Sequence, residues 1–131
     1  MFKISVTNRQ HIDGRQDTVN ETAEGSLYIR NGKKYIIYRA ETENGTEACT
    51  IISDGGRVTV KRSGGTSSVM TFDRSRRTRT LYRMPYGSMF MDIETAKIVD
   101  ALSESGGQLR LVYTIMLQGQ EIYNDMSIVV G

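Results

Sequence analysis

The chain has 131 residues, one cysteine, one proline, no tryptophan and a net charge of +2. That length fits one domain over 1–131, which can bury about two-thirds of its unfolded surface without a disulfide or metal staple. The balanced charge gives no global pull toward nucleic acid, no stretch approaches the roughly 20 apolar residues of a membrane-crossing helix, and the lone thiol of Cys49 rules out an intrachain disulfide and points to the cytoplasm.

Alternation of apolar and polar residues predicts about ten strands, over 2–12, 17–29, 34–43, 46–53, 57–63, 67–73, 78–84, 87–100, 108–118 and 121–130. The first alternates from its start, with Phe2, Ile4 and Val6 opposing Lys3, Ser5 and Thr7, and holds no apolar run of signal-peptide length. Asp13-Gly14 marks the first turn, because both residues tolerate the positive φ of a tight hairpin. Segments 17–29 and 87–100 are long enough to bend across a barrel, and Gly25 would permit such a bend. Asn31-Gly32, Asn44-Gly45, Asp54-Gly55-Gly56 and Gly64-Gly65 mark the next turns.

Further along, Ser68, Met70 and Phe72 share a face, as do Tyr82 with Met84, and Met89, Met91 and Ile93 with Thr95. Pro85-Tyr86-Gly87 separates two strands where the missing proline N–H costs nothing. Residues 96–104 read two ways: Ile98, Val99 and Leu102 fit one helical turn as well as the end of a strand. After Gly106-Gly107, Leu109, Leu111, Tyr113, Ile115 and Leu117 form a clean face. After Gln118-Gly119, Ile122, Asn124, Met126, Ile128 and Val130 form another. The fold class is all-β: one antiparallel meander of about 8–10 strands, which closes into a barrel because closure removes exposed edges.

Polar residues in step with the core carry the functional information. Val58, Val60 and Arg62 alternate against Arg57, Thr59 and Lys61, so Arg62 projects with two valines. A buried guanidinium needs a partner. It either anchors an acidic ligand, or pairs internally with a residue such as Glu21 (flanked on its face by Val19 and Ala23), or stands wet at the barrel mouth. On the ligand reading Arg62 holds the acidic group, Tyr82 and Tyr113 supply hydroxyls, and Met70, Phe72, Met89 and Met91 line the apolar part. The alternative is that the methionines simply fill core gaps. This reading is a non-enzymatic barrel binding a small amphipathic or anionic molecule in its lumen.

Two other readings compete. Arg74, Arg76, Arg77, Arg79 and Arg83 could contact phosphates, with Tyr82 and Tyr86 near enough to stack on bases. The ribbon 74–83 would then dock a protein or RNA, although the same arginines also suit a solvated hairpin tip. An enzyme would have to use Asp92 with Glu94, about 7 Å apart on one strand face, or His11, the only histidine. No Cys/His grouping has zinc spacing, and no glycine pattern matches a nucleotide loop, so no metal and no cofactor is implied. An edge strand could pair two copies across a two-fold axis.

Arg62-Ser63-Gly64, Met70-Thr71-Phe72, Tyr82-Arg83-Met84-Pro85-Tyr86-Gly87, Thr95 and Gly107-Gln108-Leu109-Arg110-Leu111-Val112-Tyr113 resemble, in order and spacing, the YwiB-like family of small bacterial proteins of unknown function. The resemblance spans nearly the whole chain and is densest from residue 57 onward. It implies a lipocalin-like (calycin) β-barrel in a bacterial cytoplasmic protein, and no assigned activity. Two features depart from the family pattern: the arginine run before Tyr82 is richer, and Met84 stands where a threonine is usual before the proline.

Overall fold

Alternation and turn chemistry together produce a single sheet. The structure, a computed structural model, describes residues 1–43 and 45–131. Among them every regular element is a strand: β1 Phe2–Ile12, β2 Arg15–Arg30, β3 Lys33–Thr42, β4 Gly45–Asp54, β5 Arg57–Gly64, β6 Ser68–Asp73, β7 Thr78–Met84, β8 Gly87–Ser103, β9 Gly106–Leu117 and β10 Gln120–Val130. Asp13-Gly14, Asn31-Gly32 and Gln118-Gly119 place both residues at positive φ, the geometry of a two-residue hairpin turn whose twist matches its strands. Asn44, half of the expected Asn44-Gly45 turn, lies outside the described residues.

All pairings are antiparallel, in the order β6-β5-β4-β3-β2-β1-β10-β9-β8-β7. The end strands β6 and β7 meet through a Ser67–Arg83 bridge, with reciprocal N–H···O bonds of 2.9 Å. Beyond it two side chains take over from the backbone. The Thr80 hydroxyl donates to Val69 O at 3.0 Å and the Thr78 hydroxyl to Thr71 O. The result is a nearly closed barrel with one side-chain-stitched seam.

Two long strands turn corners. Residues Arg15–Gly25 of β2 pair with β1, and Gly25–Arg30 pair with β3. Gly25 is the pivot: a Cβ there would lie 2.4 Å from the Ile37 carbonyl oxygen and 2.9 Å from the Tyr38 Cβ, so only glycine fits. Strand β8 passes in the same way from β7 to β9, with a bulge between Thr95 and Lys97. Residues 96–103 are strand, not helix. The bulge shifts the inward set from Thr95 to Ile98 and Leu102, and these intervals of three and four residues imitate a helical face.

The buried core draws on eight of the strands, with Ile4, Ile36, Ile51, Val58, Phe72, Ile93, Leu109, Leu111 and Ile128 at 2% exposure or less, while β2 and β7 pack the half-buried Ala23, Leu27 and Tyr82 against it. Burying each such side chain contributes about 1.5–3 kcal/mol. Tyr113 packs edge-on against Phe72, ring centroids 4.6 Å apart.

Candidate functional site

The corner at Gly25 creates the site. Among the described residues, 15–24 of β2 pair only with β1, and 39–41 of β3 pair only with β4. The two strands splay, and a cleft of about 740 Å³ opens between them at one barrel end. Its lining includes every residue from Val19 to Glu24 and from Arg39 to Glu43, with Glu47, Arg62, Thr66 and Tyr82 at its floor and far wall. Because consecutive residues line it, both side walls are strand edges and not strand faces.

Register carries Arg62 to the floor. Gly25, Tyr38, Cys49, Arg62 and Ser68 are successive partners across β2 to β6, so their side-chain positions form one transverse row. Arg62 Nη2 donates to Glu21 Oε1 at 3.2 Å and to the Tyr38 hydroxyl at 3.4 Å, and Nη1 donates to Glu21 Oε2 at 3.5 Å. Nη1 also lies 3.5 Å from Glu47 Oε1. The Tyr38 hydroxyl donates to Glu21 Oε1 at 2.7 Å. Glu47, with its side chain only 4% exposed, accepts from the Thr66 N–H at 3.0 Å and from the Thr66 hydroxyl. Glu21 thus ties the stretch of β2 that lies beyond its pairing with β3 to the barrel floor.

One guanidinium faces two carboxylates. Burial works against the Arg62 charge, but its acidic surroundings, of which Glu21 is the ionised member near pH 7, outweigh that and lift its pKa above the ordinary arginine value. Burial, followed by the neighbouring Cys49, pushes the Tyr38 phenol above its usual range. Burial also raises the Cys49 thiol against the pull of Arg62. Tyr38 and Cys49 therefore stay neutral near pH 7 and serve as hydrogen-bonding and packing groups. Around the whole cleft five glutamates (Glu21, Glu24, Glu41, Glu43, Glu47) face two arginines, Arg39 and Arg62.

Of the residues singled out in sequence, Arg62 and Tyr82 line this cleft. Phe72, Met91 and Tyr113 are buried members of the hydrophobic core, with Met70 packed against it. Met89 is half-buried, opposite Tyr82 in the β7–β8 pair. None of these five lines the cleft. Arg74, Arg76, Arg77, Arg79 and Arg83 are exposed at the β6–β7 hairpin and along β7. Three of them are neutralised by acids: Arg76 by Asp73 at 3.5 Å, Arg77 by Glu94 at 2.9 Å and Arg79 by Asp92 at 2.8 Å. Asp92 and Glu94 are thereby engaged as ion-pair partners on the outer surface. His11 is exposed on β1, edge-on to Tyr123. Sequence reasoning missed Glu47, although it shares parity with Cys49 and Ile51 and so signalled an inward carboxylate.

A family model described as a domain of unknown function, DUF1934, matches residues 4–128. The "Uncharacterized beta-barrel protein YwiB" of Bacillus subtilis (strain 168) is 26% identical over 117 residues, which cover 88% of this chain and 82% of that protein. The crystal structure of ywiB protein from Bacillus subtilis aligns with a TM-score of 0.91 at 23% identity, over 98% of this chain and 89% of the other. The first match supports the resemblance read from the sequence, and the last shows the shared barrel.

Proposed function

The chain belongs to the DUF1934 family, and from the geometry of its open end we propose that it is a non-catalytic binding barrel whose ligand sits in the cleft between β2 and β3. The observation that carries this reading is the cleft itself: a volume within the roughly 300–1,000 Å³ usual for ligand sites, floored by a partly dry charged cluster. Val19, Ala23, Ala40 and Tyr82 offer apolar contact, and the carboxylates offer polar contact. The charge balance favours a ligand with a positively charged group. Arg62 already meets Glu21 and Glu47, so an acidic ligand would have to compete with both. The amphipathic part of the sequence expectation is kept, and its anionic part gives way to a cationic one. The single buried thiol of Cys49 fits a reducing compartment, and the proposal includes a cytoplasmic setting.

Native mass spectrometry of protein purified from its own host tests the proposal. The expected result is a retained basic adduct that is lost in Glu21→Gln. A bare mass, together with no amide shift change at residues 19–24 when alkylamines of increasing chain length are titrated in, would remove it.

A further inference from the structure

Each cleft wall is the outer edge of a strand that is paired on its other side, and this points to a particular kind of ligand. Among the described residues, 19–24 of β2 have β1 on one side and no strand on the other. Residues 39–41 of β3 likewise have β4 on one side and no described strand on the other. A strand edge presents N–H and C=O groups in the plane of the sheet and is a template for another strand. Here two such edges face one another across an open cleft. We propose that this cleft takes an extended polypeptide segment bearing lysine or arginine, added as a strand against the free edges of β2 and β3. This inference rests on the binding reading above and specifies its ligand class.

Charge selects the segment. Side chains of an added strand alternate between the barrel floor and the outer rim. On the floor they meet Glu21 and Glu47, with Arg62 offsetting one of these charges. On the rim they meet the exposed Glu24, Glu41 and Glu43, with Arg39 offsetting one. Carboxylates therefore exceed guanidinium groups on both faces, and basic residues are favoured at either parity. The six residues Val19–Glu24 span about 20 Å of strand, so the edge seats a segment of about five or six residues. Small Ala23 and Ala40 flank the corner and leave room for the incoming main chain.

The test titrates a fluorescent lysine-rich heptapeptide of alternating Lys and Val into the protein. In parallel it uses the same peptide N-methylated at alternate residues, an acidic counterpart and a diamine of matching charge. The heptapeptide is expected to bind and to slow amide exchange in residues 19–24 and 39–41. N-methylation, which blocks strand pairing and keeps the charge, is expected to weaken binding at least about tenfold. Glu24→Lys with Glu43→Lys, both exposed and so compatible with folding, is expected to weaken the unmodified peptide by at least about tenfold and to flatten its salt dependence. Equal binding of the N-methylated peptide, or preference for the acidic one, overturns the inference. Binding of the diamine without the peptide also overturns it but leaves the broader binding reading standing, whereas binding of neither defeats both. A concentration-dependent dimer that protects residues 19–24 in the free protein would assign the edges to a second copy, and would equally overturn the proposal.

Discussion

Replacing Arg62 with methionine keeps most of the side-chain volume and removes the cation that bridges Glu21 and Glu47. Glu47 has its side chain 4% exposed and cannot regain water without local opening. Breaking one side of a buried ion pair costs about 3–5 kcal/mol. The distances, 3.2 to 3.5 Å, and the 22% exposure of Arg62 place this case at the lower end, about 3 kcal/mol. For a chain of this length that corresponds to a fall in Tm of roughly 10 °C. Urea unfolding at pH 7 measures it, with an unchanged m-value showing that the denatured state is unaltered. Adding Glu47→Gln to Arg62→Met is expected to restore part of the loss, as it removes the stranded charge. A loss under about 1 kcal/mol for Arg62→Met, with no recovery on adding Glu47→Gln, would show that the cluster is solvated and that the cleft floor is not the partly dry site described.

Other perturbations probe separate parts of the barrel. Gly25→Ala forces a Cβ onto the Ile37 carbonyl and is expected to cost about 3 kcal/mol or more in urea unfolding; a neutral result would deny the corner. Thr80→Val leaves Val69 O without its donor and is expected to cost about 1–2 kcal/mol, with faster amide exchange confined to β6 and β7. Although burial opposes it, hydrogen bonds from Ser53, the Leu102 N–H and Lys34 hold the Asp100 carboxyl below its usual range. A depressed folded-state value stabilises the fold above the unfolded pKa and is lost as pH falls through the folded one. Asp100→Asn is therefore expected to flatten the loss of stability below about pH 4. Cys49 is fully buried with its thiol pushed up, so a thiol reagent at pH 7.5 is expected to label it only at the rate of unfolding.

The fold was legible because its signals are local. Asx-Gly turns such as Asn31-Gly32 and the period of two in β1 and β9 act within a few residues, and the lengths of β2 and β8 already implied corners. Residues 96–103 were ambiguous for an equally physical reason: the bulge after Thr95 breaks the period and leaves inward residues at helical spacing. At the site, Arg62 was visible through Val58 and Val60, and Glu21 was nameable as its partner. The second carboxylate, Glu47, was visible only to a reader counting parity from Cys49. The cleft itself was not legible. It arises where β2 changes partner, and the resulting gap depends on which strands fail to pair, a property of the closed barrel that no single segment encodes.

Amide hydrogen exchange across β2 and β3 tests the central claim most directly. If residues 15–24 and 39–41 form free edges over a charged floor, their outward-facing amides exchange fast in the unliganded protein, while Gly25–Arg30 and Lys33–Tyr38 are protected. Strong, uniform protection along the full length of β2 and β3 would mean that the strands zip together past Gly25, and that the site described between them does not exist.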